Sequence, residues 1–358
     1  MNTTKKKVLI IYNRVWSYRE KIFELMNEEF DLTVGFSDEK FLDKEFKFKT
    51  KYLPVKKVGP FEFHKDNIYE ISNQYDAVIG ISNIRWVSLA MLALKKNRKF
   101  KIGYWGIGVT ASYENNFDSK STWDKIRFYV SKKSDFTIFY SSYPLKRYLD
   151  AGIPKEKLFV ANNTTEVVIT NSENTENKIN FLFVGTLYAQ KGLIELLDAY
   201  NALYTKRPET PNLLIVGDGA EKEKVLQYIK ENKLEDKVVL YGSVYDPKQL
   251  SEIFSNALTC ISPNQAGLSV LNSMGNKTSF VTREDAITGG EIFNIENQVN
   301  GIIYKKSEAL VDVMEWIMDN KDKVAMMNEN AYNHYIHNRT PQMMAGELIK
   351  AIKFSLNS

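Results

Sequence analysis

The hydrophobic positions of this chain fall into short apolar runs that alternate with stretches of helical spacing. KVLIIYN (7–13) and YDAVIGIS (75–82) are typical of buried strands, whereas SYREKIFELMNEEF (17–30) repeats its apolar positions on one helix face. After the polar stretch TNSENTENK (170–178), the alternation starts again with INFLFVGTL (179–187) and NLLIVGDG (212–219). This order predicts two doubly wound α/β domains in tandem, joined near that polar stretch.

Length and composition agree with two domains and exclude several classes of protein. With 358 residues, 44% of them apolar, the chain is long enough to bury two cores. No apolar run approaches the roughly 18 residues of a membrane-spanning helix, and MNTTKKKVLIIYN has too few apolar residues for a signal peptide. We therefore expect a cytoplasmic protein. The single cysteine, Cys260, has no cysteine partner within the chain, and three histidines predict no metal cluster.

The net charge of +4 hides an asymmetry between the two halves. Residues 1–160 contain 29 Lys and Arg against 19 Asp and Glu, which leaves 19 against 25 for the remainder. The densest basic stretch, KEFKFKTKYLPVKK (44–57), alternates lysines with aromatic residues, as an edge strand with one solvated face does. The alternative is that this stretch attracts an anionic surface or substrate. On that alternative, we expect the first domain to make peripheral contact with an anionic membrane. Nucleic acid is not expected, because no nucleic-acid-binding motif accompanies the lysines.

Glycine-rich loops follow the predicted strands of the second half, where ligands of open α/β sheets bind. FVGTLYAQKGL ends a strand at Gly185 and Thr186 and places Lys191 near a helix start, so that a lysine charge and a close backbone approach could serve a phosphate. LIVGDG is a tight turn, and VLYGSV offers Gly242, Ser243 and Val244. SPNQAGLSVLN places Gly267 and Leu268 at a predicted helix N-terminus, which favours an anion. The chain lacks GxGxxG after its first strand and GxxxxGK[ST] throughout, which argues against dinucleotide and P-loop enzymes.

The order of these loops resembles the donor-binding domain of family-4 retaining glycosyltransferases of the GT-B fold. FVGTLYAQKGL is similar to their FVGRL…KG segment, and LTCISPNQAGLSVLNSMGNKTSFVT is similar to their final PS..EGFGL..LEAMA.G.PVV stretch. The resemblance implies an acceptor-binding domain at 1–165, a nucleotide-sugar donor domain at 179–338 facing it across a cleft, and a C-terminal helix at 339–358 that packs back on the first domain. Thr340, followed by Pro341, is the predicted N-cap of this helix.

The resemblance implies a set of donor-binding residues and also shows departures from the family. The two glutamates of the family's E-x7-E motif fall on Asn264 and Asn272, and the arginine after the first glycine is Thr186. Amides make neutral hydrogen bonds but no charge-assisted ones. The implied catalytic residues are Lys191 and Asn264. The implied donor contacts are Gly185, Thr186, Lys191, Gly242, Ser243, Val244, Asn264, Gln265, Ala266, Gly267, Leu268, Asn272 and Glu291.

The acceptor candidates lie after the first predicted strand and in FKIGYWGIG (100–108), a later predicted strand of the first half. They are Arg14, Trp16, Arg19, Trp105 and Ile107, the last standing where the family commonly has a histidine. Arg14, Trp16 and Arg19 could instead serve helix packing. Retaining enzymes of this type need no side-chain nucleophile, and the absence of an Asp-x-Asp triplet agrees with a metal-independent site. We expect no cofactor; the substrate implied is a nucleotide diphosphate sugar, UDP in preference to GDP.

Three functions remain open at this point. The first is a glycosyltransferase of surface polysaccharide biosynthesis that moves a sugar from a nucleotide diphosphate sugar to a saccharide acceptor, which we expect to be lipid-linked. The second is a non-catalytic GT-B protein, a sugar-nucleotide binder or partner subunit, because the site has lost charges. The third, a sugar-nucleotide epimerase, would need titratable residues in the cleft, and only Glu291 is an evident candidate.

Overall fold

The chain folds into two compact α/β units. The computed structural model describes residues 4–110, 117–119, 122–168 and 178–357. Unit 1 comprises Met1–Ala111, Asp118–Thr164 and Thr340–Ser358, and unit 2 comprises Ser112–Phe117 and Thr165–Arg339. Most of the polar stretch at 170–178 lies outside the described residues. The predicted fold class, two doubly wound α/β domains, is confirmed by the sheet topology of the two units.

Unit 1 is built on a seven-stranded parallel sheet. Its strands are β1 (Lys7–Ile11), β2 (Asp31–Phe36), β3 (Lys49–Tyr52), β6 (Ala77–Ile81), β7 (Lys101–Gly106), β8 (Phe136–Phe139) and β9 (Leu158–Val160), with the hairpin β4 (Val55–Val58) and β5 (Phe61–His64) apart. The order is β3-β2-β1-β6-β7-β8-β9, and all neighbours in it run parallel. The strand order therefore reverses between β1 and β6: earlier strands are added on one side of β1 and later strands on the other. The lysine-rich β3 is an edge strand, as its alternation indicates.

Helices cover both faces of this sheet. They are α1 (Ser17–Glu29), α2 (Ile68–Ser72), α3 (Val87–Leu92), α4 (Trp123–Lys133) and α5 (Leu145–Asp150). Helix α1 buries Ile22, Phe23 and Met26, three of the four apolar positions that its spacing places on one face, and Leu25 packs partly buried beside them. Separate clusters of buried side chains lie on the two sides of the sheet, which explains why its strands are apolar on both faces.

Unit 2 repeats the same architecture with six parallel strands. They are β10 (Asn180–Val184), β11 (Leu213–Val216), β12 (Val238–Gly242), β13 (Ala257–Ile261), β15 (Phe280–Arg283) and β17 (Gly301–Tyr304), with a two-stranded pair β14 (Gln265–Ala266) and β16 (Ile287–Thr288). The helices are α6 (Leu193–Lys206), α7 (Lys222–Glu231), α8 (Pro247–Ser255), α9 (Ser269–Gly275), α10 (Leu310–Asp319) and α11 (Lys321–Asn338). The order β12-β11-β10-β13-β15-β17 puts the reversal of winding between β10 and β13.

The last helix, α12 (Pro341–Asn357), belongs to unit 1. It begins at Pro341, and the Thr340 hydroxyl accepts a hydrogen bond from the Met343 amide at 3.4 Å, which confirms the predicted cap. Met344, Leu348 and Ile352 join the core cluster formed by β1 and α1. A packing segment of unit 1 therefore comes from the far end of the chain. Among the described helices, none combines the length and apolar character that a membrane span requires.

Candidate functional site

The reversal of winding in unit 2 brings two chemically distinctive loops together. Strands β10 and β13 are neighbours, and their carboxyl ends open into the Gly185–Lys191 loop and the Ser262–Gly267 loop. The loop after each strand leaves in a different direction at such a point, which creates a crevice where ligands of doubly wound sheets bind. The sequence candidates Lys191 and Asn264 lie in these two loops.

Glycines close the floor of this crevice at three adjacent strand ends. The Gly185 amide donates to the Val216 carbonyl at 2.9 Å, and the Gly217 amide donates to the Gly242 carbonyl at 2.8 Å. Gly217 has φ +146°, and a Cβ there would lie 1.9 Å from the Gly185 carbonyl oxygen. Only glycine fits such a backbone position. Gly242, by contrast, has φ +69° with open space around it.

Lys191 presents an ammonium group that is largely enclosed by protein. The residue ends a short 3-10 turn, Ala189–Lys191, after which Gly192 adopts φ +74°. Its Nζ lies 2.8 Å from the point that a Cβ on Gly185 would occupy, so that glycine makes room for the charge. Burial lowers the pKa of the Lys191 ammonium. Among the described residues, no Asp or Glu carboxylate lies within 4.0 Å of the Lys191 ammonium.

Asn264 lies beside the Lys191 loop. The backbone N–H of Asn264 donates to the Lys191 backbone carbonyl at 3.4 Å, and the Asn264 backbone carbonyl accepts a hydrogen bond from the Ile287 N–H at 2.8 Å. The side-chain Nδ2 lies 2.5 Å from the position of a Cβ on Gly192, so this glycine accommodates the amide group. The side-chain Oδ1 is buried and has no hydrogen-bond partner among the described residues. A buried oxygen of this kind needs a donor, which a sugar hydroxyl could supply.

The short β14–β16 pair links three further candidates to this loop. Gln265 and Ala266 are buried in β14, and Ala266 pairs with Thr288 of β16. Glu291 follows β16 after Gly290, which has φ +114°. Its carboxylate accepts a hydrogen bond from the Gly289 amide at 3.0 Å and is only 7% exposed. The pairing therefore holds Glu291 in the same local structure as the Asn264 loop.

Helix α9 begins one residue after Leu268, where the sequence predicts a helix start. Nothing lies within 4 Å of the point a Cβ on Gly267 would occupy, and the Ser269 hydroxyl is buried without a partner among the described residues. Asn272 lies inside the helix, where its Oδ1 accepts a hydrogen bond from Asn276 Nδ2 at 2.9 Å. This contact gives Asn272 a structural function within α9. Its predicted donor contact stays a prediction.

Thr186, Ser243 and Val244 lie at the rim of the same sheet edge. Thr186 and Ser243 are exposed, and Val244 is partly buried. The Thr186 carbonyl accepts a hydrogen bond from the Tyr188 amide at 2.9 Å. Their surfaces are accessible to a ligand, and their donor contacts stay predictions.

The acceptor candidates divide into buried and accessible residues of unit 1. Arg19 and Trp105 are 2% and 0% exposed, so neither offers a contact surface to an acceptor in this structure. Arg14, Trp16 and Ile107 are partly exposed. The Arg14 guanidinium lies 4.5 Å from the Trp16 ring centroid and 3.4 Å from Asp38. For these three residues, contact with an acceptor stays a prediction.

Arg19 is instead the centre of a buried polar cluster that the sequence motifs do not indicate. Its guanidinium donates to Asn163 Oδ1 at 2.6 Å and to Met344 Sδ at 2.9 Å, and it lies 4.8 Å from the Trp105 ring centroid. The hydroxyls of Tyr12 and Tyr140 are hydrogen-bonded beside it. Burial raises the pKa of Tyr12. The partners come from distant parts of the chain, so no local pattern indicates this cluster.

Within the described ranges there is no group of three or more His, Cys, Asp or Glu side chains that could hold a metal ion. Cys260 is buried in β13, and burial raises the pKa of its thiol to about 12. Among the donor-binding candidates named from the sequence, Lys191 and Glu291 are the two charged side chains.

Comparisons with known proteins agree with this arrangement. The family described as Glycosyl transferases group 1 matches residues 166–334, which lie in unit 2. The alpha-monoglucosyldiacylglycerol synthase of Acholeplasma laidlawii is 23% identical over 220 residues, 60% of this chain and 51% of that protein. The chain thus matches about half the length of this curated relative. The family match supports a glycosyltransferase.

Solved structures resemble the whole chain at low sequence identity. Anabaena HepE, crystallised with UDP, has a TM-score of 0.73 at 15% identity and covers 97% of this chain and 99% of its own. TarM has a TM-score of 0.71 at 12% identity, and the match covers 98% of this chain and 99% of the TarM chain. This likeness confirms the predicted GT-B fold.

Proposed function

We propose that the chain is a family-4 retaining glycosyltransferase that transfers a sugar from a nucleotide diphosphate sugar to a saccharide acceptor. The observation that carries the proposal is the enclosed Lys191 ammonium at the β10/β13 crevice, without a carboxylate partner among the described residues. A charge in such a position is costly unless an anion binds there. The diphosphate of a donor is an anion of suitable size and charge.

The proposed mechanism assigns each group at the crevice one task. Lys191 neutralises the charge that grows on the leaving diphosphate, as an oriented cation can do without a metal ion. Asn264 Oδ1 accepts a hydrogen bond from a hydroxyl of the donor sugar, because it is buried and lacks a partner among the described residues. The acceptor hydroxyl attacks the face from which the diphosphate leaves, and a phosphate oxygen takes its proton. No side-chain base is needed, which fits a site with neutral amides at positions 264 and 272.

Relatives support the identity of the substrates. HepE was crystallised with UDP and with UDP-glucose, which favours UDP as the carrier of the donor sugar. One relative is by its name a synthase of a glycolipid, and another solved structure is a lipopolysaccharide outer core galactosyltransferase. We propose a lipid-linked saccharide acceptor in surface polysaccharide or glycolipid biosynthesis, bound by unit 1. The protein would then work at the cytoplasmic face of the membrane, in peripheral contact with anionic lipid.

A donor panel tests the proposed function. UDP-glucose, UDP-galactose, UDP-N-acetylglucosamine and GDP-mannose are incubated with the protein, with and without lipid-linked saccharide acceptors, and released nucleotide is measured. We expect UDP release that depends on the acceptor. Binding of a UDP-sugar without release under any condition would favour the non-catalytic alternative, which the two asparagines in place of charged residues motivate. Failure to bind any nucleotide sugar would contradict both.

A further inference from the structure

Unit 1 neutralises most of the lysines that the sequence suggests for contact with a membrane. Four of the six lysines between residues 44 and 57 lie within 4.0 Å of a carboxylate. The pairs are Lys44 with Glu20, Lys47 with Glu24, Lys49 with Asp31 and Lys57 with Glu62. An ion-paired lysine adds little to the potential felt at a distance. The excess positive charge of unit 1 must therefore be sought elsewhere.

A concave pocket of about 730 Å³ lies at another edge of unit 1 and is strongly basic. We call it the basic pocket. Seven Lys and Arg side chains and only two aspartates line it, a net charge of +5. Asp76 pairs with Lys6 at 2.9 Å and Asp135 with Arg98 at 2.8 Å. The other five basic residues have no carboxylate within 4.0 Å in the described part of the chain; they are Lys95, Lys96, Lys99, Lys101 and Lys133.

The basic pocket lies at the edge of the sheet opposite the carboxyl ends of the strands. Lys6 directly precedes β1, Asp76 precedes β6, Lys101 begins β7 and Asp135 precedes β8. Ligands that react in doubly wound folds bind at the carboxyl edge. The basic pocket is therefore separate from the acceptor candidates Arg14, Trp16 and Ile107, which follow strands.

Helix α4 presents an exposed apolar stripe that runs to this pocket. Trp123, Ile126 and Tyr129 are spaced three residues apart and are 45%, 46% and 53% exposed. Residues at this spacing share one helix face. The Trp123 ring packs edge-on against Phe61 of the β4–β5 hairpin at 5.9 Å, which orients the indole while leaving it accessible. Tyr129 lines the basic pocket, and the Lys133 ammonium lies 5.9 Å from its ring centroid.

We propose that the α4 stripe and the basic pocket form one docking surface for an anionic phospholipid membrane. Tryptophan, tyrosine and aliphatic side chains on one helix face enter the boundary between head groups and acyl chains, and lysines beside them attract anionic head groups. Basic residues alone would suit any soluble phosphate, but the adjoining apolar stripe matches the layered chemistry of a lipid surface. This inference deepens the membrane contact of the proposed function by assigning it to a surface other than residues 44–57.

Vesicle binding with three matched variants tests the assignment. Vesicles of phosphatidylcholine alone and of phosphatidylcholine mixed with phosphatidylglycerol are sedimented with the full chain at low and physiological salt. The pocket variant is Lys95→Gln/Lys96→Gln/Lys99→Gln and the stripe variant is Trp123→Ser/Ile126→Ser. The control variant is Lys47→Gln/Lys49→Gln/Lys51→Gln, which removes the same number of charges. Thermal unfolding checks that each variant is folded, and all substituted positions are at least partly exposed.

We expect the wild type to bind only the anionic vesicles. The pocket variant should lose about tenfold or more in partition coefficient, because each lysine contributes up to about 1 kcal/mol near an anionic surface. The stripe variant should lose about as much, because binding strength also depends on the apolar area that enters the boundary between head groups and acyl chains. The control variant should lose less than about threefold. Loss in the control variant but not in the other two would overturn the assignment while leaving membrane contact intact. If the wild type does not bind anionic vesicles, both the assignment to this surface and the membrane contact are overturned. This holds even if calorimetry shows that the basic pocket binds inorganic phosphate. The donor panel is scored separately, so its result does not affect this test.

Discussion

Replacement of Lys191 by methionine separates a catalytic lysine from a structural one. Methionine keeps the apolar stem and removes the ammonium that lies beside Gly185. At an effective dielectric of about 20, an ammonium about 4 Å from one phosphate charge gains about 4 kcal/mol. Water that solvates the Lys191 ammonium in the free protein offsets part of this gain. We therefore expect kcat to fall by about 10- to 100-fold, which corresponds to about 1.4 to 2.7 kcal/mol.

Stability should respond in the opposite sense to activity. Burial lowers the pKa of the Lys191 ammonium, so protonation costs the folded state free energy at all pH values below that lowered pKa. The cost shrinks as the pH rises from the lowered pKa toward 10.5, the ordinary value. Lys191→Met removes this cost, and its midpoint of thermal unfolding at neutral pH should equal or exceed that of the wild type.

The assay measures nucleotide release and thermal unfolding on the same samples. Lys206→Met is the matched control. Lys206 is an exposed lysine on α6, the helix that follows the Lys191 loop, and it pairs with Glu315 at 2.7 Å. We expect the control to keep full activity. Unchanged kcat in Lys191→Met, or a loss of activity that merely follows a loss of folded protein, would refute the reasoning.

Three further predictions concern other parts of the chain. Asn264→Glu/Asn272→Glu should not raise transferase activity, because a buried carboxylate without a partner costs free energy or becomes protonated, which weakens donor binding; a gain from an inactive parent would instead indicate a degenerate site. Gly217→Ala should destabilise unit 2 by more than about 2 kcal/mol in urea unfolding, since its Cβ would lie 1.9 Å from a carbonyl oxygen, whereas Gly242→Ala should cost about 1 kcal/mol; equal effects would contradict the close approach. Burial lowers the pKa of His64 to about 4, so the stability from its neutral ring is complete above 6.5 and is lost as the pH falls toward 4; His64→Phe should flatten the pH dependence of unfolding in that window, and an unchanged slope would exclude His64 as its source.

Local periodicity was sufficient to predict the regular part of the fold. The apolar runs KVLIIYN, YDAVIGIS, INFLFVGTL and NLLIVGDG correspond to β1, β6, β10 and β11. Parallel strands that are buried on both faces are continuous apolar runs, and the helices between them show their own spacing. The N-cap of α12 could also be predicted from local sequence, because it depends only on Thr340 and the residues directly after it.

Features that depend on distant partners could not be predicted in this way. Arg19 follows the first strand and suggests an accessible cation, but Met344 and Asn163 enclose it from more than 100 positions away. The lysines at 44–57 suggest a free basic strand, but α1 supplies carboxylates to Lys44 and Lys47. The exposed stripe of α4 likewise depends on which helix face meets the sheet. Sequence spacing shows which residues share a face and not what that face contacts.

The candidate site was predictable to the same extent. Glycine and lysine positions within one loop indicated a phosphate site after β10, and the order of the loops indicated the family. The structure adds the neighbouring positions of β10 and β13, which place Asn264 against the Lys191 loop. It also shows that the hydroxyl of Ser269, in the motif SPNQAGLSVLN, is buried and lacks a partner in the described part of the chain.

The most direct test of the central claim is a crystal structure of the protein with UDP. We predict that the diphosphate lies at the carboxyl ends of β10 and β13, with a phosphate oxygen about 2.7 to 3.0 Å from Lys191 Nζ. The nucleotide should leave the Asn264 side chain free to meet the donor sugar. UDP bound at any other place in the chain, or with Lys191 directed away from both phosphates, would contradict the account.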